Sequence, residues 1–165
     1  MKTEIRTMVP EDWEEVRSIY LAGIATGHAT FETESPTREA WDKAHLPAPR
    51  LVAVAAETIV GWAALSPGSA RAVYAGVAEV SVYVSAEMRG QGVGLLLLKS
   101  LIHQSEKHGV WTLQAGIFPE NSASISLHKS CGFREVGRRE RIAKMNGVWR
   151  DTLLFERRSR LAGSD

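Results

Sequence analysis

The chain has 165 residues, with 20 Lys and Arg against 19 Asp and Glu, and a single cysteine, Cys131. That length suits one domain with a core that needs no disulfide or structural metal, and 44% hydrophobic with 24% charged residues excludes a fibre or a disordered tail. A net charge of +1 gives no electrostatic case for nucleic acid or an anionic membrane, and one cysteine allows neither an internal disulfide nor a multi-cysteine zinc site.

The start, Met-Lys-Thr-Glu-Ile-Arg, lacks the apolar run of a signal peptide, and stretches such as 51–56 fall far short of the roughly 20 residues that span a membrane. A reducing, cytoplasmic setting is therefore expected. Residues 3–8 read as a strand. Pro10, Glu11 and Asp12 suit a first helical turn, and Trp13, Val16, Ile19, Tyr20 and Ile24 continue as a helical stripe. The segment 27–36 is polar loop, and Thr37 caps a short helix that Pro47 and Pro49 stop. Two strands over 51–56 and 59–65 flank a turn at Glu57-Thr58. Residues 66–76 are loop, and residues 77–84 form a strand with Ala78, Val80, Val82 and Val84 on one face and Val77, Glu79, Ser81 and Tyr83 on the other.

Arg89-Gly90-Gln91-Gly92-Val93-Gly94 then leads into a helix that Gly109 ends. Glycines before a helix permit close backbone approach to an anion, and on the residues alone they serve a tight turn equally well. A P-loop is excluded because no Gly-Lys-Ser/Thr follows, and Gly-x-Gly-x-Gly spacing in mid-chain does not fit a dinucleotide fold. A strand over 110–117, a helix over 121–131 closed by Gly132, and strands over 133–142 and 148–156 complete the series. Asn146-Gly147 marks the last hairpin. The reading is a mixed α/β fold over residues 1–157, mostly antiparallel, with one strand–loop–helix–strand crossover, and a frayed tail over 158–165.

Arg89-x-x-Gly92-x-Gly94 after Val80-Ser81-Val82-Tyr83-Val84 resembles the acetyl-CoA signature of the GNAT N-acetyltransferase superfamily. Asn121-x-x-Ser124-x-x-x-His128-x-x-x-Gly132-Phe133 resembles its second characteristic segment. Within the superfamily the chain is similar to phosphinothricin N-acetyltransferases through Phe31-x-Thr33, Arg71-x-x-Tyr74 with Glu79, Leu127-His128 and Trp149-x-Asp151. The resemblance implies a central, mostly antiparallel twisted sheet flanked by helices, and acetyl transfer from acetyl-CoA to a small amino-acid-like amine. Phosphinothricin, methionine sulfoximine or sulfone, and arsinothricin are the acceptors of such relatives. It implies no metal, and a homodimer. Two departures bear on the acceptor pocket: Gly76 and Arg150 stand where relatives carry tryptophan and histidine.

Residue by residue, the resemblance places the cofactor on Val82, Tyr83 and Val84, on the run Arg89, Gly90, Gln91, Gly92, Val93, Gly94 and Leu95, and on Asn121 and Ser124. Backbone amides at a helix start suit its pyrophosphate, and a strand amide near Val82 suits a developing oxyanion. Glu79 is the implied general base, since burial on an apolar strand raises a carboxyl pKa; on sequence alone a solvent-facing glutamate is the commoner case. His128 is implied as the acid for the leaving thiolate, with packing against the cofactor or core as the alternative. Phe31, Arg71 and Tyr74 are implied for the acceptor. His28 and His45 read as surface residues, Cys131 as a packed thiol, and Trp149 as a packing or dimer-contact residue. A protein N-terminus or a polyamine as acceptor, and a non-catalytic acyl-CoA-binding module, are the alternatives.

Overall fold

The computed structural model describes residues 2–165. In chain order the elements are β1 (Thr3–Thr7), α1 (Trp13–Ala25), α2 (Arg38–Ala44), β2 (Arg50–Ala55), β3 (Thr58–Pro67) and β4 (Val77–Val84). They continue as α3 (Val93–Lys107), β5 (Thr112–Ile117), α4 (Ser122–Ser130), β6 (Arg134–Met145) and β7 (Val148–Arg158). The strands make one seven-stranded sheet in the order β1-β2-β3-β4-β5-β7-β6. Every pair is antiparallel except β4 with β5, so the expected mixed architecture with a single crossover is the one observed.

β3 reads as an unbroken apolar run because both of its faces are covered. Ala63 and Leu65 join a core with Leu97, Leu98 and Leu101 of α3, whose spacing lays one helical stripe on the sheet. Trp62 and Ala64 face the other way, into Trp13, Val16 and Ile19 of α1 and Trp41 of α2. β4 divides in the same manner: Ala78 and Val80 enter the α3 core while Tyr83 packs with the α1 cluster. No helix among the described residues is long and apolar enough to cross a membrane.

Local chemistry shifts several expected boundaries. Pro10–Asp12 forms a separate 3₁₀ turn ahead of α1. The Asp12 carboxylate folds back to accept the Val9 amide at 2.8 Å and both ends of the Arg6 guanidinium at 2.8 and 2.9 Å. That arginine holds the Asp12 carboxyl below the ordinary carboxylate range. The β2–β3 turn falls on Ala56-Glu57, one residue earlier than expected, with φ of 48° and 65°. Both are left-handed, as a two-residue hairpin that follows the strand twist requires. At the last hairpin Asn146 and Gly147 take the same region, at 49° and 77°. β6 runs on to Met145, where the sequence suggested an end at Ile142.

The C-terminal tail is pinned, not frayed. Arg158 donates to the carbonyls of Ser159, Ala162 and Gly163 at 2.7–2.9 Å, and the Ser159 hydroxyl accepts the amides of Leu161 and Ala162 at 3.0 Å. The turn so formed brings Gly163 against Trp111, and the Trp111 ring also covers Gly76. A Cβ on Gly76 would lie 2.0 Å from Cε3 of that indole, so the space over residue 76 is already filled from the head of β5. Gly76→Ala is therefore expected to cost about 1–3 kcal/mol by overpacking. Urea denaturation checks this, and Gly76→Ala combined with Trp111→Ala should lose less than the sum of the two single changes.

Candidate active site

β4 and β5 pair through only three residues, Val77 with Thr112, Ala78 with Leu113 and Glu79 with Gln114. Beyond that point β4 stays bonded to β3 as far as Val84, and β5 stays bonded to β7 as far as Ile117. The two strands therefore part, and the β4 edge from Val80 to Val84 faces β5 without a ladder. A cleft of about 900 Å³ occupies the gap, lined by Val80 to Val84 on one side and Ala115 to Phe118 on the other. Unladdered strand edges offer alternate N–H and C=O groups to any extended amide-bearing chain.

Glu79 is the last residue of β4 paired with β5 and lines the cleft. Its side chain opens toward solvent at the cleft mouth, yet the surrounding walls desolvate the carboxyl and push it above the ordinary glutamate range, with Arg139 partly opposing. Ser66 lies opposite it on β3, and Trp62 lies opposite Tyr83. Those last two rings stack at 4.9 Å and 15°, and Tyr20 of α1 meets Tyr83 at 5.0 Å. Burial raises the Tyr83 phenol, so it stays protonated. This aromatic floor is rigid and apolar, with Glu79 at its open end.

The opposite end of the cleft fits an anionic cofactor. Gly90 and Gly92 have φ of 76° and 85°, a region that excludes ordinary side chains at low cost and so explains the glycines. The first backbone bond of α3 runs from Leu96 N–H to the Gly92 carbonyl, which places the amides of Val93, Gly94 and Leu95 ahead of helical pairing. They form an anion cradle in the manner of helix N-termini. A Cβ on Gly94 would touch Leu127 at 3.3 Å and Val84 at 3.7 Å, so the cradle sits between the end of β4 and α4. Val82, Tyr83, Val84, Arg89, Asn121 and Ser124 line the cleft, and Gly90 to Leu95 do not.

α4 closes the cleft with Asn121, Ser124 and His128. Asn121 caps the helix, with Oδ1 accepting the Ser124 amide at 3.1 Å and Nδ2 donating to the His28 carbonyl at 3.1 Å, so both ends of its side chain are engaged within the protein. His128 lines the cleft but is only 5% exposed, against Phe133. Its Nδ1 lies 2.7 Å from the Ser124 carbonyl, an acceptor only, so the ring proton resides on Nδ1 and Nε2 carries a lone pair. Burial lowers the His128 pKa, which keeps the ring neutral at pH 7. In this state Nε2 carries a lone pair, and His128 is a buried, cleft-facing group packed against Phe133.

Of the residues expected at the acceptor, Phe31 lines the cleft and meets Phe118 edge to face at 4.8 Å. Arg71 and Tyr74 do not join it: both are exposed in the loop before β4, with the guanidinium 5.4 Å above the phenol ring. His45, read from sequence as a surface residue, instead lines the cleft with its ring stacked on Trp41 at 4.1 Å and Nδ1 2.7 Å from the Trp41 carbonyl. Desolvation lowers its pKa. No spacing signal marked it, because its place depends on Trp41 and Trp62 from separate elements. His28 is exposed as expected, at the cleft rim, and Cys131 packs part-buried against the α3 core. Trp149 is 48% exposed beneath Arg141 and Lys144, so within this chain it does not pack into a core.

Arg150 explains how the irregular segment after α1 is held. Its guanidinium lies 4.0 Å over the Phe118 ring, donates to the Gly27 carbonyl at 3.0 Å, and reaches Glu120 and His28 at 3.2 Å each. A histidine here lacks the reach to make all four contacts. Arg150→Ala should release the 27–36 loop, giving at least several-fold faster proteolysis within it and a lower melting temperature; unchanged cleavage would show that the clamp is dispensable.

The sequence profile of the Acetyltransferase (GNAT) family matches residues 11–133. Over 164 residues the chain is 33% identical to a phosphinothricin N-acetyltransferase of Streptomyces coelicolor, covering 94% of this chain and 96% of that one. It is 32% identical over 163 residues to the L-methionine sulfoximine/L-methionine sulfone acetyltransferase of Pseudomonas aeruginosa, covering 94% of each. The crystal structure of a GNAT superfamily phosphinothricin acetyltransferase from Sinorhizobium meliloti in complex with acetyl-CoA superposes with a TM-score of 0.89 at 26% identity, over 100% of this chain and 92% of that one. The parted strands, the amide cradle and these matches agree: the chain belongs to the GNAT family and is an acetyltransferase.

Proposed function

We propose that this enzyme transfers the acetyl group of acetyl-CoA to the amine of a small amino acid of the phosphinothricin or methionine sulfoximine type, with Glu79 as general base. The observation that carries the reading is the position of Glu79, a desolvated carboxyl standing where β4 and β5 part, at the open end of the aromatic floor and across the cleft from the amide cradle.

Acetyl-CoA supplies an activated acyl carbonyl. The amides of Gly90 to Leu95 would hold its pyrophosphate, and the free β4 edge from Val80 to Val84 would hold its amide-bearing arm, which matches the donor set of both. A β4 amide that has no β5 partner is a fixed dipole ready for charge developing on the carbonyl oxygen. Glu79 holds the acceptor ammonium and takes its proton; a carboxyl raised above its ordinary pKa is a better match to that task than a free one. Phe31, Tyr83 and Trp62 close the site on apolar surface and exclude water from the amine.

Glu79→Gln is expected to lower kcat roughly 10²–10³-fold with methionine sulfoximine as acceptor, while acetyl-CoA affinity by calorimetry stays unchanged. The acid limb of kcat/KM against pH should lie above the ordinary glutamate range, because desolvation raises the carboxyl, and it should vanish in the variant. Full activity in Glu79→Gln would remove the base assignment, and no turnover across phosphinothricin, methionine sulfoximine and methionine sulfone would remove the acceptor class.

A further inference from the structure

The charged side chains that line the cleft are Glu32, Glu79, Arg89, Glu120 and Arg139. Two of the five are cations, and Arg89 belongs to the cradle end, next to Gly90. Glu120 is occupied by Arg150. Arg139 stands on β6 opposite Thr152 of β7, immediately before the shift in register that ends at Ala143. Four arginines on these two strands are in ion pairs, Arg134 with Glu156, Arg138 with Asp151, Arg150 with Glu120 and Arg157 with Glu106, while Arg158 holds the tail carbonyls and Arg141, which does not line the cleft, lies over Trp149. Among the described residues Arg139 has neither an ion pair nor a hydrogen bond, although Glu79 shares the cleft and feels its charge.

An α-amino acid enters such a cleft as a zwitterion. Glu79 answers the ammonium, and the carboxylate a few ångströms away then needs a partner, since an unpaired charge inside an apolar site is costly. Arg71, the residue that sequence resemblance suggested, lies outside the cleft against Tyr74. We propose that Arg139 binds the α-carboxylate of the acceptor, so that Glu79 and Arg139 together recognise the zwitterion from opposite strands of the cleft. The two-point contact fixes the amine lone pair toward the gap between β4 and β5, and it discriminates against simple amines and peptide interiors, which carry no adjacent carboxylate. The inference rests on the proposed acceptor class.

The test uses the full chain with methionine sulfoximine, whose α-carboxylate is its one anionic group, and with the corresponding α-carboxamide. Arg139→Gln should raise KM for methionine sulfoximine roughly tenfold or more, and by a larger factor than it lowers kcat. The difference between wild type and variant should shrink to within about twofold for the carboxamide, because the lost contact is then absent from both. Arg139→Lys should recover part of the KM, and acetyl-CoA affinity by calorimetry should be the same in all three proteins, which also verifies that each is folded. Phosphinothricin serves as a third arm: an effect seen with it and absent with methionine sulfoximine would assign Arg139 to the side-chain phosphinate and overturn the α-carboxylate proposal. An unaltered KM, or a rise equal for acid and carboxamide, would overturn it as well while leaving the acceptor class intact. Wild-type protein that binds acetyl-CoA and acetylates no α-amino acid would overturn both.

Discussion

Everything functional in this chain depends on β4 being allowed only three residues of pairing with β5. Parallel pairs are somewhat weaker per residue than antiparallel ones, and here each strand has a stronger antiparallel partner on its other side, β3 for β4 and β7 for β5. Those outer ladders run the full length of the parted segments, so the gap is held open by the sheet itself and not by a loop. Most domains would leave such free backbone groups covered or paired. In this one they are the walls of the cleft, and the side chains of β4 alternate between the two faces of the sheet: Val80 and Val82 toward the α3 core, Tyr83 toward the α1 cluster.

The two ends are built on different principles. At the end proposed for the cofactor the groups on offer are backbone: left-handed glycines, amides ahead of helical pairing and a helix start, with Arg89 the one cation lining the cleft there. Such amides would let a near-neutral chain hold an anion without a basic patch. At the acceptor end, recognition is left to side chains set in an aromatic frame, with Trp41, Trp62, Tyr20 and Tyr83 packed ring against ring. The buried indole nitrogens of Trp41 and Trp62 have no hydrogen-bond partner, so that frame carries a polar cost as well as apolar gain. Arg150 ties the loop that bears Phe31 to Phe118 and Glu120 at the end of β5, and Trp111 over Gly76 fixes the loop's counterpart before β4.

Much of this was legible in the sequence wherever one short segment carries its own signal. The glycine run before α3, the Gly132 that closes α4, the Asn146-Gly147 turn and the alternation along β4 each state a local backbone requirement, and each appears where expected. What was not legible arises from pairs brought together across the fold. His45 enters the cleft because Trp41 and Trp62 cup it, Arg71 stays outside because its loop stacks on itself, and the tail is ordered by Arg158 reaching five residues ahead. Arg139 was one of several arginines in a polar strand until the fold placed it, without an ion pair, in the lining of the cleft. His128 shows a third case: the residue was identified in place, but its protonation state hinges on one carbonyl, that of Ser124, which no sequence pattern reveals.

The central claim, that the unladdered edge of β4 and the amides before α3 form the cofactor site, is tested most directly by amide hydrogen exchange with and without acetyl-CoA. The account predicts that slowing of exchange is concentrated in residues 80–84 and 90–96, with residues 77–79 already protected in the free protein by their ladder to β5. Protection confined to other segments, or none in 80–84 at saturating acetyl-CoA, would contradict it.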